Sequence, residues 1–253
     1  MTLIDEARQH PKVEAIYQEV DAITPITVEL TTDNFWSSST LNGETIITVG
    51  KSSDPAAALM HELQHAKLKI NGLRQYTSFS TINRRGLRIM DVVSALDNEI
   101  QHHRMFPEFI AAGFASEKFY NDDDLTIYRD IRRELRKMGP SDNVVAFMFM
   151  FISVIAPGGH GTCQERKELR NFLFTRCGQA KQAKLESIER EIKSWASAPL
   201  EEQSHLLRSI LLKLDLSGVW IGSGSRFPED GFFVGDAFTE SSAYAFMKRM
   251  NLI

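Results

Sequence analysis

His61-Glu62-Leu63-Gln64-His65 concentrates metal-binding and proton-transfer chemistry in five residues. On a helix, residues four apart share a face, so the two imidazoles can meet one cation. Neutral imidazole nitrogens suit zinc. Glu62 follows His61 by one residue, a rotation of about 100° around the helix axis. That places its carboxylate to one side of the cation, within reach of a water there, as a general base requires.

The segments around this motif supply a helix to hold it. Ser52-Ser53-Asp54-Pro55 is a helix-start pattern with proline at the first helical position. Asn71-Gly72 is a stop signal. The motif therefore falls inside a predicted helix over 55–70, rich in Ala and Leu. Ahead of it, Ile26–Leu30 and Thr45–Val49 alternate as strands do, with Asn42-Gly43 as a turn signal. These two runs predict an antiparallel pair with a long irregular connection. Further helices are predicted over 3–20, 87–113, 116–138, 143–156, 164–196 (broken near Gly178) and 200–215. Residues 217–238 read as loop, and a short helix is expected to close the chain.

With Thr45–Val49, the HExxH motif and the later Asn98-Glu99 on the page, the chain resembles the zincin metallopeptidases over about 70 residues, from 30 to 105. The resemblance implies a zinc-dependent peptidase with a peptide or protein substrate. It also implies that Thr45–Val49 is the edge strand beside the motif helix. The metzincin continuation HxxGxxH is missing, since Ala66 to Asn71 contains no histidine. The gluzincin branch takes a glutamate from a later helix, and Glu99 resembles that residue.

The residues make a separate case for Glu99 as the third ligand beside His61 and His65. The helix expected over 87–113 carries an apolar stripe through Ile89, Val92, Leu96, Ile100 and Phe106, which Glu99 and His103 interrupt. A carboxylate facing a core is costly unless it is paired or ligates a metal. His103, His102, Asp97 and Asp91 are the alternatives at this position. Where many gluzincins have an aspartate that orients a ligand histidine, this chain has His103, read as an outer neighbour of the site or an alternative ligand. His102 falls on the more polar face with Asp91 and Asn98, where surface histidines are common. An oxyanion donor is expected from downstream. His160, in the Pro157-Gly158-Gly159-His160-Gly161 loop, is the first candidate, with Tyr76, Tyr128 and Tyr244 behind it.

Composition bounds the rest. The chain has 253 residues, 43% apolar and 25% charged, with a net charge of −4. That charge argues against general nucleic-acid binding, which needs a basic face. The most apolar stretch, 144–156, is shorter than the roughly 20 residues of a membrane span. The N-terminus lacks a secretory pattern, and Cys163 and Cys177 form no CxxC pair. The expectation is a cytoplasmic α+β protein, mostly α. It would have a zincin-like core, a small N-terminal antiparallel sheet and a helical C-terminal half. One domain over 1–253 is favoured; a catalytic core over 1–114 followed by a helical region over 115–253 is the alternative. The competing function is a non-catalytic regulatory or binding protein on the same scaffold.

Overall fold

The structure is a computed structural model that describes residues 2–73, 77–80, 84–120, 124–159, 161–199, 203–216, 219–222, 231–234, 245 and 248. It is α+β and mostly helical. Of the expected closing helix only Ala245 and Lys248 are described, both helical; His160, Tyr76 and Tyr244 lie outside the described residues.

The helix that carries the motif, α3 (Pro55–Ile70), begins and ends where its local sequence dictates. The Asp54 carboxylate accepts from the Ala57 N–H at 3.1 Å, and Pro55 occupies the first turn, where no N–H is needed. At the other end Gly72 takes φ +100°. Leu73 N–H then donates to Leu68 C=O at 2.9 Å, and Gly72 N–H to Lys69 C=O at 3.1 Å. This paired arrangement satisfies the last carbonyls and needs the left-handed backbone that glycine gives freely. Ala57, Ala58, Leu59, Met60, Leu63 and Ala66 are all buried, so α3 is covered on most sides.

Its cover comes from α1 (Leu3–Ala7), α2 (Pro11–Asp21) and a three-stranded sheet of β1 (Ile26–Leu30), β2 (Ser37–Leu41) and β3 (Glu44–Val49). Sheet order is β1-β3-β2. Thr45, Ile47 and Val49 alternate inward from β3 into the core around α3. Two expectations are corrected here. β1 pairs with β3 in parallel, so the sheet is mixed rather than antiparallel. Thr45–Val49 is central, and the edge beside α3 is β2. Asn42 (φ +53°) and Gly43 (φ +80°) do form a tight hairpin turn, but it joins β2 to β3. β2 reads Ser-Ser-Ser-Thr-Leu and lacks the β-branched and aromatic content that marks strands in sequence. Gly50 is required by a close approach: a Cβ there would lie 2.3 Å from Phe35 C=O and 2.4 Å from Asp33 C=O, both in the segment that leads into β2.

The long helix α4 (Arg84–Ala111) crosses α3 and joins two apolar cores. Met105 and Phe109 pack with α3 and the first sheet. Val92, Val93, Leu96 and Ile100 pack with α5 (Asp124–Lys137), α6 (Val144–Ile155), α7 (Cys163–Cys177), α8 (Gln179–Ser197) and α9 (Ser204–Lys213). The break between α7 and α8 falls at Gly178, with φ +79°. α6 is the apolar stretch foreseen as a core helix; Phe147, Met148 and Phe151 are fully enclosed. Among the described residues no helix is long and apolar enough to cross a membrane. The stretch expected as loop instead supplies two strands, β5 (Val219–Gly222) and β6 (Gly231–Val234), which form an antiparallel sheet with β4 (Thr77–Ser80). Val219-Trp220-Ile221 is wholly buried. Such a short apolar run among glycines carries no alternation to reveal it.

Candidate metal centre

α3 turns His61 and His65 toward α4, and α4 answers with His102. The three rings form a nearly equilateral triangle, with centroids 5.0 Å (His61–His65), 4.8 Å (His61–His102) and 5.2 Å (His65–His102) apart. One ring nitrogen from each lies within 4.8 Å of the others. Tetrahedral zinc at about 2.0–2.1 Å from each nitrogen would bring them to roughly 3.3 Å. Small side-chain rotations cover that difference, so the donor set fits the ion.

Neighbours fix which nitrogen two of these rings present. Gln101 donates its amide nitrogen to Asp97 C=O at 3.3 Å and Asp97 Oδ1 at 3.1 Å, which leaves Gln101 Oε1 facing His65 Nδ1 at 3.1 Å. Oε1 only accepts, so His65 Nδ1 carries the proton and Nε2 keeps its lone pair. His102 is held in the same way. Its Nδ1 lies 3.3 Å from Glu99 Oε2 and 3.1 Å from Tyr120 Oη, while Tyr120 donates to the Glu99 carboxylate at 3.0–3.1 Å. A carboxylate behind a ligand imidazole orients it and raises its basicity. His61 Nδ1 is buried without a well-aligned hydrogen bond, although the Phe119 backbone lies close by.

Glu99, the residue expected as third ligand, is therefore buried behind His102 and is not one of the three converging groups. His103 flanks the same carboxylate from its other side, with Nε2 3.7 Å from Glu99 Oε1. His102, foreseen as a surface histidine, is 3% exposed. On the polar face of α4, Asp91 and Asn98 are exposed as expected, and Asn98 lines the site cavity together with the buried His102. Tyr128, one of the expected oxyanion donors, accepts from Arg132 at 2.8 Å and does not line the site cavity. Tyr120 and Gln101 were missed by sequence reasoning. Gln101 precedes His102 on α4, and Tyr120 arrives through the short 3-10 turn Ser116–Lys118, which no motif marks.

Gln64, inside the motif, fastens the two helices together. Pro107 interrupts the hydrogen-bond ladder of α4. The buried Gln64 amide reaches that stretch, with nitrogen toward Met105 C=O at 3.1 Å and oxygen toward Phe109 N–H at 3.0 Å.

Glu62 is 6% exposed and turns toward β2, where Ser38 Oγ donates to its Oε2 at 3.0 Å. Burial raises its pKa to about 7; the Ser38 hydroxyl and backbone pull the other way. His65 is lowered to about 3, first by burial and then by repulsion from His102. His61 is held well below its usual value by the same two causes in the same order, with His65 adding to the repulsion. All three imidazoles stand around a cavity of about 480 Å³, lined also by Ser37 to Thr40 of β2 and by Lys69, Asn98 and Phe119.

These shifts set an acid response for the metal-free protein. A histidine whose folded pKa is depressed stays neutral while the unfolded chain takes up a proton. Stability therefore falls as pH drops below about 6.5. Each of His61 and His65 contributes at most about 1.4 kcal/mol per pH unit, reduced by their partial exposure to the cavity. Glu62 acts oppositely between about 4.5 and 7, because the folded carboxyl keeps a proton that the unfolded chain has released. It offsets one of the two histidines there and ceases to do so below 4.5. Denaturant midpoints of the metal-free protein should decline gently from pH 6.5 to 4.5 and steeply below. A double His61→Gln, His65→Gln variant should flatten that profile, and an unchanged profile would show that these rings are not buried as neutral groups.

Comparison with known proteins returned no matching family model, no matching curated protein and no matching solved structure.

Proposed function

We propose that this chain is a zinc-dependent peptidase in which His61, His65 and His102 hold the metal and Glu62 moves the proton. The observation that carries the reading is the convergence of three imidazoles, two with tautomers set by Gln101 and Glu99, beside the buried Glu62 carboxyl. Three neutral nitrogens suit zinc and leave a position open for water or substrate, as catalytic sites do and closed structural sites do not. Zinc bound there would polarise a carbonyl and bring the pKa of water toward about 7.

The chain's own groups supply the remaining parts. Glu62, buried beside the histidines, accepts a proton from the attacking water and returns it to the leaving amine. Ser38 holds one Glu62 oxygen in place. Glu99 and Tyr120 keep His102 turned toward the pair on α3. β2 lies at the sheet edge and lines the cavity, so an extended peptide can add to it by main-chain pairing with its reacting carbonyl at the histidines.

The test is metal analysis joined to hydrolysis of a quenched fluorogenic peptide library. One zinc per chain is expected. Activity should disappear on chelation and return with zinc. Bound zinc with no cleavage of any peptide would favour the non-catalytic binding protein, and no bound metal would end both readings.

A further inference from the structure

Lys69 shares the α3 face that carries His61 and His65, four residues beyond the second, and it lines the same cavity. It is half-buried. Among the described residues no carboxylate lies within 4.0 Å of its ammonium group, and no hydrogen bond occupies it. Its neighbour Lys67, on the outer side of the helix, pairs with Glu19 at 3.4 Å and Glu108 at 3.7 Å. Asp97 is near enough to attract Lys69, but it turns Oδ1 to the Gln101 amide that orients His65. Withdrawing an ammonium group from water without a partner is costly, and burial accordingly lowers its pKa. A cavity that tolerates this cost gains from a ligand that removes it.

Distance selects the ligand. From the middle of the histidine pair to Lys69 is six residues of helix, about 9 Å along the axis. An extended peptide covers that length in about three residues. We propose that Lys69 anchors a substrate carboxylate held two or three residues from the scissile bond, either a free C-terminus or an Asp or Glu side chain. This inference rests on the peptidase reading for the position of the scissile bond. The Lys69 contact itself is measured independently of turnover.

The experiment uses the full chain loaded with zinc and carrying Glu62→Gln, so that probes are not consumed. The probes are alanine pentapeptides with an uncharged N-terminal fluorophore. One has a free C-terminus, one is amidated, and one is amidated with glutamate as its last residue. Fluorescence anisotropy should show at least one carboxylate-bearing probe binding about tenfold tighter than the neutral amide. Lys69→Met should erase that preference and Lys69→Arg should keep most of it, with zinc content and unfolding temperature unchanged. Should the Met variant lose zinc or fold poorly, Lys69→Gln takes its place. A free-acid preference identifies a terminal carboxylate, and a glutamate preference identifies a side chain. Equal binding of neutral and anionic probes, or a preference that survives Lys69→Met, overturns the proposal. Absence of cleavage by the Glu62 protein would instead count against the peptidase reading, while a Lys69-dependent preference would stand.

Discussion

Glu62→Gln should leave zinc bound and remove peptide hydrolysis. The substitution keeps the shape of the side chain and an oxygen for the Ser38 hydroxyl, which now donates to Glu62 at 3.0 Å. What it removes is the group that accepts and returns a proton. General base and acid assistance contributes roughly 10²–10⁴-fold, so kcat should fall by at least about 100-fold with KM little changed. Since the three imidazoles are untouched, zinc stoichiometry by plasma emission analysis should equal that of the parent. A variant that hydrolyses peptides at the parental rate would remove Glu62 from the mechanism. One that loses zinc would make Glu62 a ligand, contrary to its orientation toward β2.

The second large effect separates a ligand from the residue behind it. His102→Ala deletes one of three converging nitrogens. Structural zinc sites bind with about 10–16 kcal/mol over four ligands, so about 2.5–4 kcal/mol falls to each. The loss should weaken zinc binding by about 100-fold to nearly 1,000-fold. Glu99→Gln removes the negative charge behind the His102 ring but keeps an acceptor for its Nδ1–H. Changes at such supporting positions cost about 10–100-fold. Competition titrations against a chelator of known affinity should therefore rank His102→Ala well below Glu99→Gln. The reverse order would restore Glu99 as the ligand, as the gluzincin resemblance implies, and would require the burial of Glu99 behind His102 to be rearranged on metal binding.

That contrast shows how much of the site was legible. The pairing of His61 and His65 and the place of Glu62 follow from a rise and a rotation per residue, properties of any α-helix. Caps at Asp54 and Gly72 act within a few residues and can be read locally. The stretch around Glu99 also stood out, because Glu99 and His103 interrupt an apolar stripe there. Which residue there converges with His61 and His65 was not readable. Adjacent positions on α4 differ by about 100° in direction. With apolar packing toward two cores at once, apolar periodicity cannot orient this helix. Reading His102 as a solvent residue assumed that its polar neighbours mean water; Asn98 is exposed, but His102 turns into the cavity. The same limit hid β2, whose serines line the cavity and hold Glu62 rather than fill a core.

The sequence by itself determined the capped motif helix, the two imidazoles on one face of it and the predominance of helix, because each depends on contacts a few residues apart. Tertiary structure decided that His102 completes the triangle, that Glu99 and Tyr120 stand behind it and that β2 rather than β3 forms the edge. These outcomes depend on how α4 is rotated against α3 and on which strand ends the sheet. Those relations join residues far apart in the chain, through packing toward two cores that no local pattern connects.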